Sequence, residues 1–368
     1  MGTKKRTIVK QVTAYMVSLV LAGIIVNGLL YMNYWHPEKY FINNYSSDAL
    51  HKPNSICVEG REGFAILHTD GNGYFNENEL DTKESYILCL GSSDTQAKSI
   101  PNDKNYCQLL EQKLASDGIA TDVYNAGMDA AGLDEVLGHF HAAMQKFDTA
   151  DMVVIEMSWF PEESELRTAI ADESDYQPFD YDTYQASLST VDKAKNFISA
   201  FPLPRVLNNQ ITKISENEQR IPFVAFLRKQ EADAADETVE GDKLSVTAQG
   251  TDASYQQLLE DAAEKIRKEA RDKNVILLFS TTTRMEADGT ITDTVDPERM
   301  RCLQEACDRN QIVFIDMGDT YIDYYNRNHV LYRGFFNTSP GSGHLNETGH
   351  ALIAENLYDT ISAEHLMQ

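Results

Sequence analysis

Two short polar segments, far apart in the chain, contain the side chains best suited to chemistry. The first follows the apolar run YILCL at residues 86–90 and reads Gly-Ser-Ser-Asp-Thr. The second is GSGHLNETGH at residues 341–350, which contains His344 and His350. A serine hydroxyl attacks a carbonyl carbon poorly until a nearby imidazole removes its proton. The two segments therefore indicate nucleophilic acyl transfer, provided that the fold brings a serine and a histidine together.

A structural role is the alternative for the serines, because Ser and Asp are common at the start of helices. A helix cap accounts for the first segment alone and leaves the histidine-containing segment unexplained. We therefore favour the chemical interpretation, with His350 as a packing or supporting residue.

From residue 86 onward, short apolar runs alternate with amphipathic segments. Continuous apolar strands separated by helices predict a parallel sheet that is covered on both faces. We expect a doubly wound, flavodoxin-like, three-layer α/β/α fold, whose sites form at the carboxyl ends of the strands. The predicted strands are 86–90, 121–127, 151–157, 275–279 and 312–317, and the predicted helices are 105–115, 133–147, 254–274, 297–310 and 347–361.

The predicted organisation begins with a cytoplasmic tail at 1–10, a transmembrane anchor at 11–33 and a lead-in at 34–80. The remainder, 81–368, forms the α/β domain, with an insertion at about 160–253 where a short connection would be usual. The insertion includes the acidic segment KQEADAADETVEGDK. It is either a surface excursion, or a cap over the site or docking surface.

The N-terminal segment has the pattern of a membrane anchor. Basic residues precede an uncharged run, Val12–Met32, which has about the 20 residues that a helix needs to cross a bilayer. Tyr31, Tyr34 and Trp35 stand where an interfacial aromatic belt would be. A cleaved signal peptide is the alternative, but it would have a shorter apolar region and a small-residue cleavage site. We expect the N-terminus in the cytoplasm and the α/β domain outside the cell membrane.

Charge and cysteine content exclude several other functions. The formal net charge of −25 repels phosphate backbones, so we expect no nucleic-acid partner. The five cysteines fit no zinc or redox motif and are predicted to be buried free thiols; they are Cys57, Cys89, Cys107, Cys302 and Cys307.

A calcium loop is a weaker alternative for HTDGNGYFNENEL at residues 68–80. Asp70, Asn72 and Glu79 occupy liganding positions of an EF-hand, and REGFAIL before them could be its entering helix. The first liganding position, however, is His68, and the next predicted strand follows too soon for an exit helix. We therefore expect no metal site.

The order and spacing of the two polar segments resemble those of the SGNH (GDSL-like) esterase and acyltransferase superfamily. Its first block resembles residues 91–95, and its final block, Asp-x-x-His before a helix, resembles residues 341–344. HTDGNGY at residues 68–74 is similar to the lead-in of some extracytoplasmic members. The resemblance covers roughly residues 65–365.

The resemblance implies a role for particular residues. Ser93 would be the nucleophile and His344 the general base. Oxyanion donors would be the backbone amides of Ser93 and of Ala130 or Gly132. This chemistry needs no cofactor.

Two positions depart from the family pattern. Phe160 stands where the family has an oxyanion-binding asparagine, and it is expected to line the pocket. Gly341 stands where the histidine-orienting aspartate is usual, so Asp316 and Asp319, at the end of the fifth strand, are the candidate replacements.

The resemblance implies a serine esterase or O-acyltransferase that acts through a Ser-His dyad, most simply on acetyl groups of a cell-envelope glycan. The acyl group would come from an acylated small molecule or a multi-pass membrane acyl exporter. The alternative, motivated by the two departures, is a catalytically degenerate SGNH-like binding or assembly subunit of a polysaccharide modification complex.

Overall fold

The computed structural model describes residues 2–33, 35, 39–41, 49–129, 132–171, 181–199, 201–204, 253–286, 288–338 and 341–367. Ala130 and the acidic segment 229–243 lie outside this set. The chain divides into two compact units. One comprises Met1–Glu38 with Ser187–Ser245, and the other Lys39–Ala186 with Val246–Gln368.

The larger unit is built on a five-stranded parallel sheet. Its strands follow one another across the sheet in the order β6-β5-β7-β8-β11. This is a doubly wound order. The first strand, β5, has β6 on one side, and the later strands are added on its other side, so the direction of strand addition reverses between β5 and β7. In chain order the strands of the protein are β1 (Lys39–Phe41), β2 (Ala49–His51), β3 (Ile56–Glu59), β4 (Ala65–His68), β5 (Tyr86–Leu90), β6 (Asp122–Asn125), β7 (Met152–Met157), β8 (Asn274–Phe279), β9 (Thr283–Met285), β10 (Ile291–Asp293) and β11 (Val313–Asp316).

Helices cover both faces of this sheet. Side chains alternate across β5, so Tyr86, Leu88 and Leu90 pack into one core layer, and Ile87 and Cys89 into the other. The helices are α1 (Gly2–Asn33), α2 (Ser93–Gln96), α3 (Tyr106–Ser116), α4 (Leu133–Lys146), α5 (Glu163–Ala171), α6 (Tyr181–Ser187), α7 (Thr190–Ser199), α8 (Ala253–Ala270), α9 (Pro297–Arg309), α10 (Gly318–Asn328) and α11 (Glu347–Ala363).

The two core layers have different helices. Helices α4, α5, α8 and α9 contribute to the first layer, and α3, α10 and α11 contribute to the second. The predicted three-layer α/β/α fold is therefore confirmed, and each of the five predicted strands and five predicted helices is present. The five cysteines are buried thiols that form no disulfide, as predicted.

The lead-in at 34–80 is more structured than its polar composition indicates. Strands β1 and β2 form one antiparallel pair, and β3 and β4 form another. Its residues from Lys39 onward belong to the same compact unit as the sheet. REGFAIL is not an entering helix, because its end forms β4.

Helix α1 contains a 25-residue stretch, Ile8–Met32, with a mean hydropathy of 2.0. By length and composition this stretch could cross a membrane.

Candidate active site

The turn that contains Ser93, at residues 91–95, lies at the carboxyl end of β5, next to the point where the direction of strand addition reverses. Ser93 is the first residue of α2, and the hydroxyl of the preceding Ser92 accepts a hydrogen bond from the Asp94 amide (3.1 Å). Glu156, on the neighbouring strand β7, holds the turn by accepting bonds from the Ser92 amide (2.9 Å) and hydroxyl (2.8 Å). The cap role therefore belongs to Ser92, which leaves the Ser93 side chain available for chemistry.

The turn after β6 packs directly on this short helix. A Cβ atom added to Gly127 would lie 2.3 Å from the Gln96 nitrogen and 2.6 Å from the Thr95 carbonyl carbon. These are backbone atoms that cannot move aside, so only glycine fits. Gly127 thus fixes how closely the β6 exit turn approaches the nucleophile.

Ser93 and His344 are brought together, as predicted. The Ser93 Oγ lies 2.9 Å from the His344 Nε2, although the residues are 251 positions apart. His344 stands just before α11, whose first turn is capped by the Asn346 side chain. The final helix thereby holds the histidine opposite the end of β5.

The carboxylate that contacts the histidine ring is Glu62, which no motif in the sequence indicates. Its Oε2 lies 2.5 Å from the His344 Nδ1, and its Oε1 accepts a bond from the His344 amide (2.9 Å). Gly343 allows this approach, because it has a φ of +84° and an added Cβ would lie 2.3 Å from the Glu62 Oε1. With Nδ1 donating to the carboxylate, Nε2 is free to accept the serine proton.

The prediction that Asp316 or Asp319 orients the histidine is wrong. Asp316 ends β11, which is three strands from β5, or about 14 Å at the usual strand spacing. Its Oδ1 instead accepts a bond from the Gly318 amide (2.9 Å). Glu62 is found in the segment between β3 and β4, outside every block of the resemblance.

A buried ion pair fastens the histidine segment to the nucleophile helix. Arg333 lies 2.7 Å from the Asp94 Oδ2, and both side chains are only 4% exposed. The other Asp94 oxygen accepts a bond from the Leu345 amide (3.1 Å). Arg333 also donates to the carbonyl oxygens of Gly343 and Ser280 (both 3.0 Å). Arg333 therefore links Gly343, which precedes His344, with α2 and the end of β8. Its partner Asp94 holds Leu345, which follows His344.

Comparisons with known proteins are limited to structural likeness. No family model matches the sequence, and no curated protein matches it either. Solved structures that resemble the chain include an acetyl xylan esterase (12% identity, TM-score 0.37, covering 75% of this chain and 99% of that one). A lipase/acylhydrolase from Enterococcus faecalis has 14% identity and a TM-score of 0.38, covering 76% and 97%. A putative GDSL-like lipase from Parabacteroides merdae has 11% identity and a TM-score of 0.40, covering 77% and 96%.

The strand order, the serine after the first sheet strand and the histidine before the last helix are those that the resemblance to the SGNH superfamily implies. Ser93, His344 and Glu62 form a hydrogen-bonded chain, whereas the sequence blocks alone predicted only the Ser93–His344 pair.

The charges around His344 favour its protonated form. Burial by itself lowers the pKa of His344, but the hydrogen bond to Glu62 and the negative charges of Asp94 and Glu62 outweigh it, so the pKa lies above its ordinary value. Burial raises the pKa of Glu62, and the contact with His344 more than offsets this, so that pKa is lowered. The pair is therefore arranged to stabilise the imidazolium that forms when the serine gives up its proton.

A second buried carboxyl group, Glu156, lies beneath the site. The Ser158 Oγ lies 2.6 Å from the Glu156 Oε1 and 3.0 Å from the Asp94 Oδ2. A single hydroxyl proton cannot satisfy two carboxylates. Burial raises the pKa of Glu156, as does the charge of Asp94, whereas Arg333 and His344 overcome the effect of burial and lower the pKa of Asp94. Ser158 therefore lies between two carboxyl groups, and Glu156 is the one whose pKa is raised.

The predicted oxyanion donors have different surroundings. The Ser93 amide is at the first position of α2, where helix amides lack partners within the helix. The Gly132 amide donates to the Glu135 side chain (2.8 Å) at the start of α4. Burial, and then the adjacent Asp134, raise the pKa of Glu135 to about 8. Ala130 lies outside the described residues.

Phe160 follows β7 and packs toward the first core layer. Its ring centroid lies 5.1 Å from that of Phe279 and 6.5 Å from that of Tyr255. The preceding residue, Trp159, lies beside Gly132, because a Cβ atom added to Gly132 would lie 3.0 Å from its indole nitrogen. The lining of the acyl pocket by Phe160 remains a prediction.

A lysine that the sequence analysis did not single out lies close to the base. Lys98 follows α2 and pairs with Asp129 at 2.6 Å. Its positive charge slightly opposes the rise in the pKa of His344. No motif marks Lys98 in the sequence.

The carboxylates of the 68–80 loop serve to fold it. The Asp70 Oδ1 accepts bonds from the amides of Asn72 and Tyr74, and its Oδ2 accepts the Tyr124 hydroxyl (2.5 Å). Glu79 accepts the Gly71 amide with both oxygens (2.8 and 3.0 Å). Neither neighbouring element, β4 or β5, is a helix, so the loop is not an EF-hand. Within the described residues, no group of three or more His, Cys, Asp or Glu side chains is placed to hold a metal ion.

Proposed function

We propose that the protein is a membrane-anchored, extracytoplasmic serine esterase or O-acyltransferase that acts on acyl groups, most simply acetyl groups, of an envelope glycan. The observation that carries the proposal is the continuous chain from the Ser93 hydroxyl through His344 to Glu62. Such a chain activates a serine hydroxyl and orients the base that removes its proton.

The first half-reaction follows from this geometry. The Ser93 Oγ attacks the ester carbonyl carbon, while its proton moves to the His344 Nε2. Collapse of the tetrahedral intermediate breaks the bond to the leaving alcohol, which takes the proton from His344. An acyl-serine remains, and in the second half-reaction a hydroxyl of water or of a sugar replaces Ser93.

The oxyanion of the intermediate requires donors in place of the missing asparagine. The Ser93 amide is one, and Trp159 is our candidate for another because an indole N–H can only donate. Replacing Trp159 with Phe would remove this donor and keep most of the ring. Loss of one oxyanion donor lowers kcat by about 10²–10³-fold in a well-studied serine protease, and we expect a decrease of at least about 10-fold here.

Labelling with an activated fluorophosphonate tests whether the site reacts. The wild-type protein is expected to be labelled at Ser93 and to hydrolyse p-nitrophenyl acetate, and Ser93→Ala is expected to lose both properties. A folded wild-type protein that shows neither would favour the alternative, a degenerate binding or assembly subunit.

Transfer and hydrolysis are distinguished by the acceptor. The pre-acylated enzyme is incubated with water alone or with an envelope glycan, and the acyl group is traced by mass spectrometry. Recovery of the acyl group on the glycan supports transfer, whereas recovery only as the free acid supports an esterase. A multi-pass acyl exporter is the partner that an extracytoplasmic transferase would need as its acyl source.

The proposed location depends on α1. Because Ile8–Met32 is long and apolar enough to span a bilayer, the mature chain is expected to keep its N-terminus and to stay with membranes after a high-salt wash. A soluble mature form that begins near residue 36 would show instead that the segment is a cleaved signal peptide.

A further inference from the structure

Helix α7, within the insertion between β7 and β8, has an apolar face that is exposed. Val191, Phe197 and Ile198 are 63%, 69% and 56% exposed. At 3.6 residues per turn these side chains share an arc of about 120° with Ala194. A helix with such a face normally packs it against a protein core. The helix is therefore arranged to contact something other than the described part of this chain.

The opposite face of α7 is polar. It carries Asp192, Lys193, Lys195 and Asn196. Lys195 pairs with Asp192 at 3.3 Å, and both remain substantially exposed. A short helix with a polar, partly basic face and a Phe- and Ile-containing face has the composition of helices that lie in a membrane interface.

The segment that follows α7 contacts the apolar helix α1. The unit that contains α7 is the same one that contains α1. Just after α7, the Leu203 amide donates a 3.0 Å hydrogen bond to the Asn27 side chain of α1. Gly23, Asn27 and Leu30 are partly buried positions on one side of an otherwise exposed helical stretch. The segment after α7 is thus bonded directly to the apolar helix.

The height of this contact along α1 agrees with an interfacial location. Asn27 lies six residues before Asn33, the last residue of α1, which corresponds to about 9 Å along the helix axis. Interfacial helices are buried about 5–10 Å into the boundary between headgroups and acyl chains. The exposed Phe201, between α7 and Leu203, continues the apolar face of α7 toward the same level.

We propose that α7 lies in the non-cytoplasmic interface of the membrane that α1 crosses, with Val191, Phe197 and Ile198 directed into the acyl chains. This inference rests on the proposed anchor role of α1. The lipid surface is favoured over a second copy of the chain because α1, to which the segment is hydrogen-bonded, already brings the bilayer to this level. The lysines of the opposite face would then lie at the headgroups.

Site-directed fluorescence on the full-length protein in vesicles tests this placement. Phe197→Cys and Ile198→Cys are labelled with the environment-sensitive fluorophore NBD, and Asp192→Cys provides the matched control on the polar face, at least about 120° away around the helix. The five native cysteines are buried, and the unmutated protein measures their background labelling. The vesicles contain phosphatidylcholine and phosphatidylglycerol, with or without doxyl-labelled lipid.

The two faces are expected to give opposite results. NBD at residues 197 and 198 should be shifted to the blue, and doxyl lipid should quench it at least about threefold more than aqueous iodide does. NBD at residue 192 should show the reverse preference. The same emission and iodide quenching at all three positions, in protein inserted in vesicles, would overturn the proposal.

Other outcomes separate the possible failures. Protection of residues 197 and 198 from both quenchers would indicate a protein partner and would also overturn the proposal. Protein that does not insert in vesicles at all would contradict the anchor itself. Retained fluorophosphonate labelling in each variant would show that the α/β domain is still folded and that the proposed acyl chemistry is unaffected.

Discussion

Glu62 and His344, 282 positions apart, are joined by a 2.5 Å contact between the carboxylate Oε2 and the imidazole Nδ1. The carboxylate also accepts the amide of His344, so it fixes both the backbone and the ring of the base. The segment before the sheet therefore completes the candidate site. This explains how the site can have an acid although Gly341 stands at the usual aspartate position.

Replacing Glu62 with Gln should reduce turnover and shift its pH dependence. The Glu62 contact raises the pKa of His344, and the base must be neutral to accept the serine proton. In the wild-type protein, kcat/KM should fall as pH decreases through a midpoint above the ordinary histidine value. Glu62→Gln should move this midpoint to lower pH and reduce kcat by about 10²–10⁴-fold, since the comparable change in a protease triad costs about 10⁴.

Asp316→Asn is the matched control for this experiment. Asp316 does not contact His344, so its amide variant should keep the wild-type pH profile of ester hydrolysis. A profile shifted by Asp316→Asn and unchanged in Glu62→Gln would return the orienting role to β11.

Ser93 and His344 should act as one unit. Ser93→Ala and His344→Ala are each expected to lower the hydrolysis of a small acetyl ester by at least about 10³-fold, and the double variant should cost little more than either. Steady-state kinetics, with circular dichroism as the check on folding, measures this. Additive losses, or full activity in Ser93→Ala, would contradict the assignment.

Ser92→Ala separates the nucleophile from the adjacent helix cap. Ser92 is buried and bonded to Glu156 and to the Asp94 amide. Its loss should cost about 1 kcal/mol of stability, as for other N-cap serines, while fluorophosphonate still reacts at residue 93. Peptide mapping of the labelled protein identifies the modified serine.

The raised pKa of Glu156 predicts a difference between two substitutions. Glu156→Gln retains a neutral group that can both donate and accept, so it should change the unfolding free energy by less than about 1 kcal/mol. Glu156→Ala leaves the buried bonds of Ser92 and Ser158 without an acceptor or donor and should cost about 2–5 kcal/mol. Urea unfolding measures both, and a large loss in the Gln variant would mean that Glu156 is ionised.

The pair between Asp94 and Arg333 should behave as a buried ion pair. Arg333→Met leaves the Asp94 charge without its partner, and breaking such a pair typically costs about 3–5 kcal/mol. Asp94→Asn in the same protein should recover part of the loss, because the unpaired charge is gone. Urea unfolding of the single and double variants measures the coupling, and strictly additive losses would contradict it.

Local sequence determined much of the sheet and part of the site. Each buried strand is a continuous apolar run, and each covering helix has its own amphipathic repeat, so neither depends on distant residues for recognition. The serine and the histidine were recognisable because each lies in a local block at a fixed offset from a strand or a helix. The five cysteines were predicted to be buried thiols because their spacing fits no zinc or redox motif.

Only the tertiary structure identified Glu62, the Asp94–Arg333 pair and the contacts of Glu156 with Ser92 and Ser158. Each depends on contact between side chains from different elements, and in the first two the partners are more than 200 positions apart. The prediction of Asp316 was wrong because strand order determines distance across the sheet. Asp316 ends β11, which is three strands from β5, the strand that Ser93 follows. Which carboxylate meets His344 was decided by the path of the β3–β4 segment, which has no local pattern in the sequence.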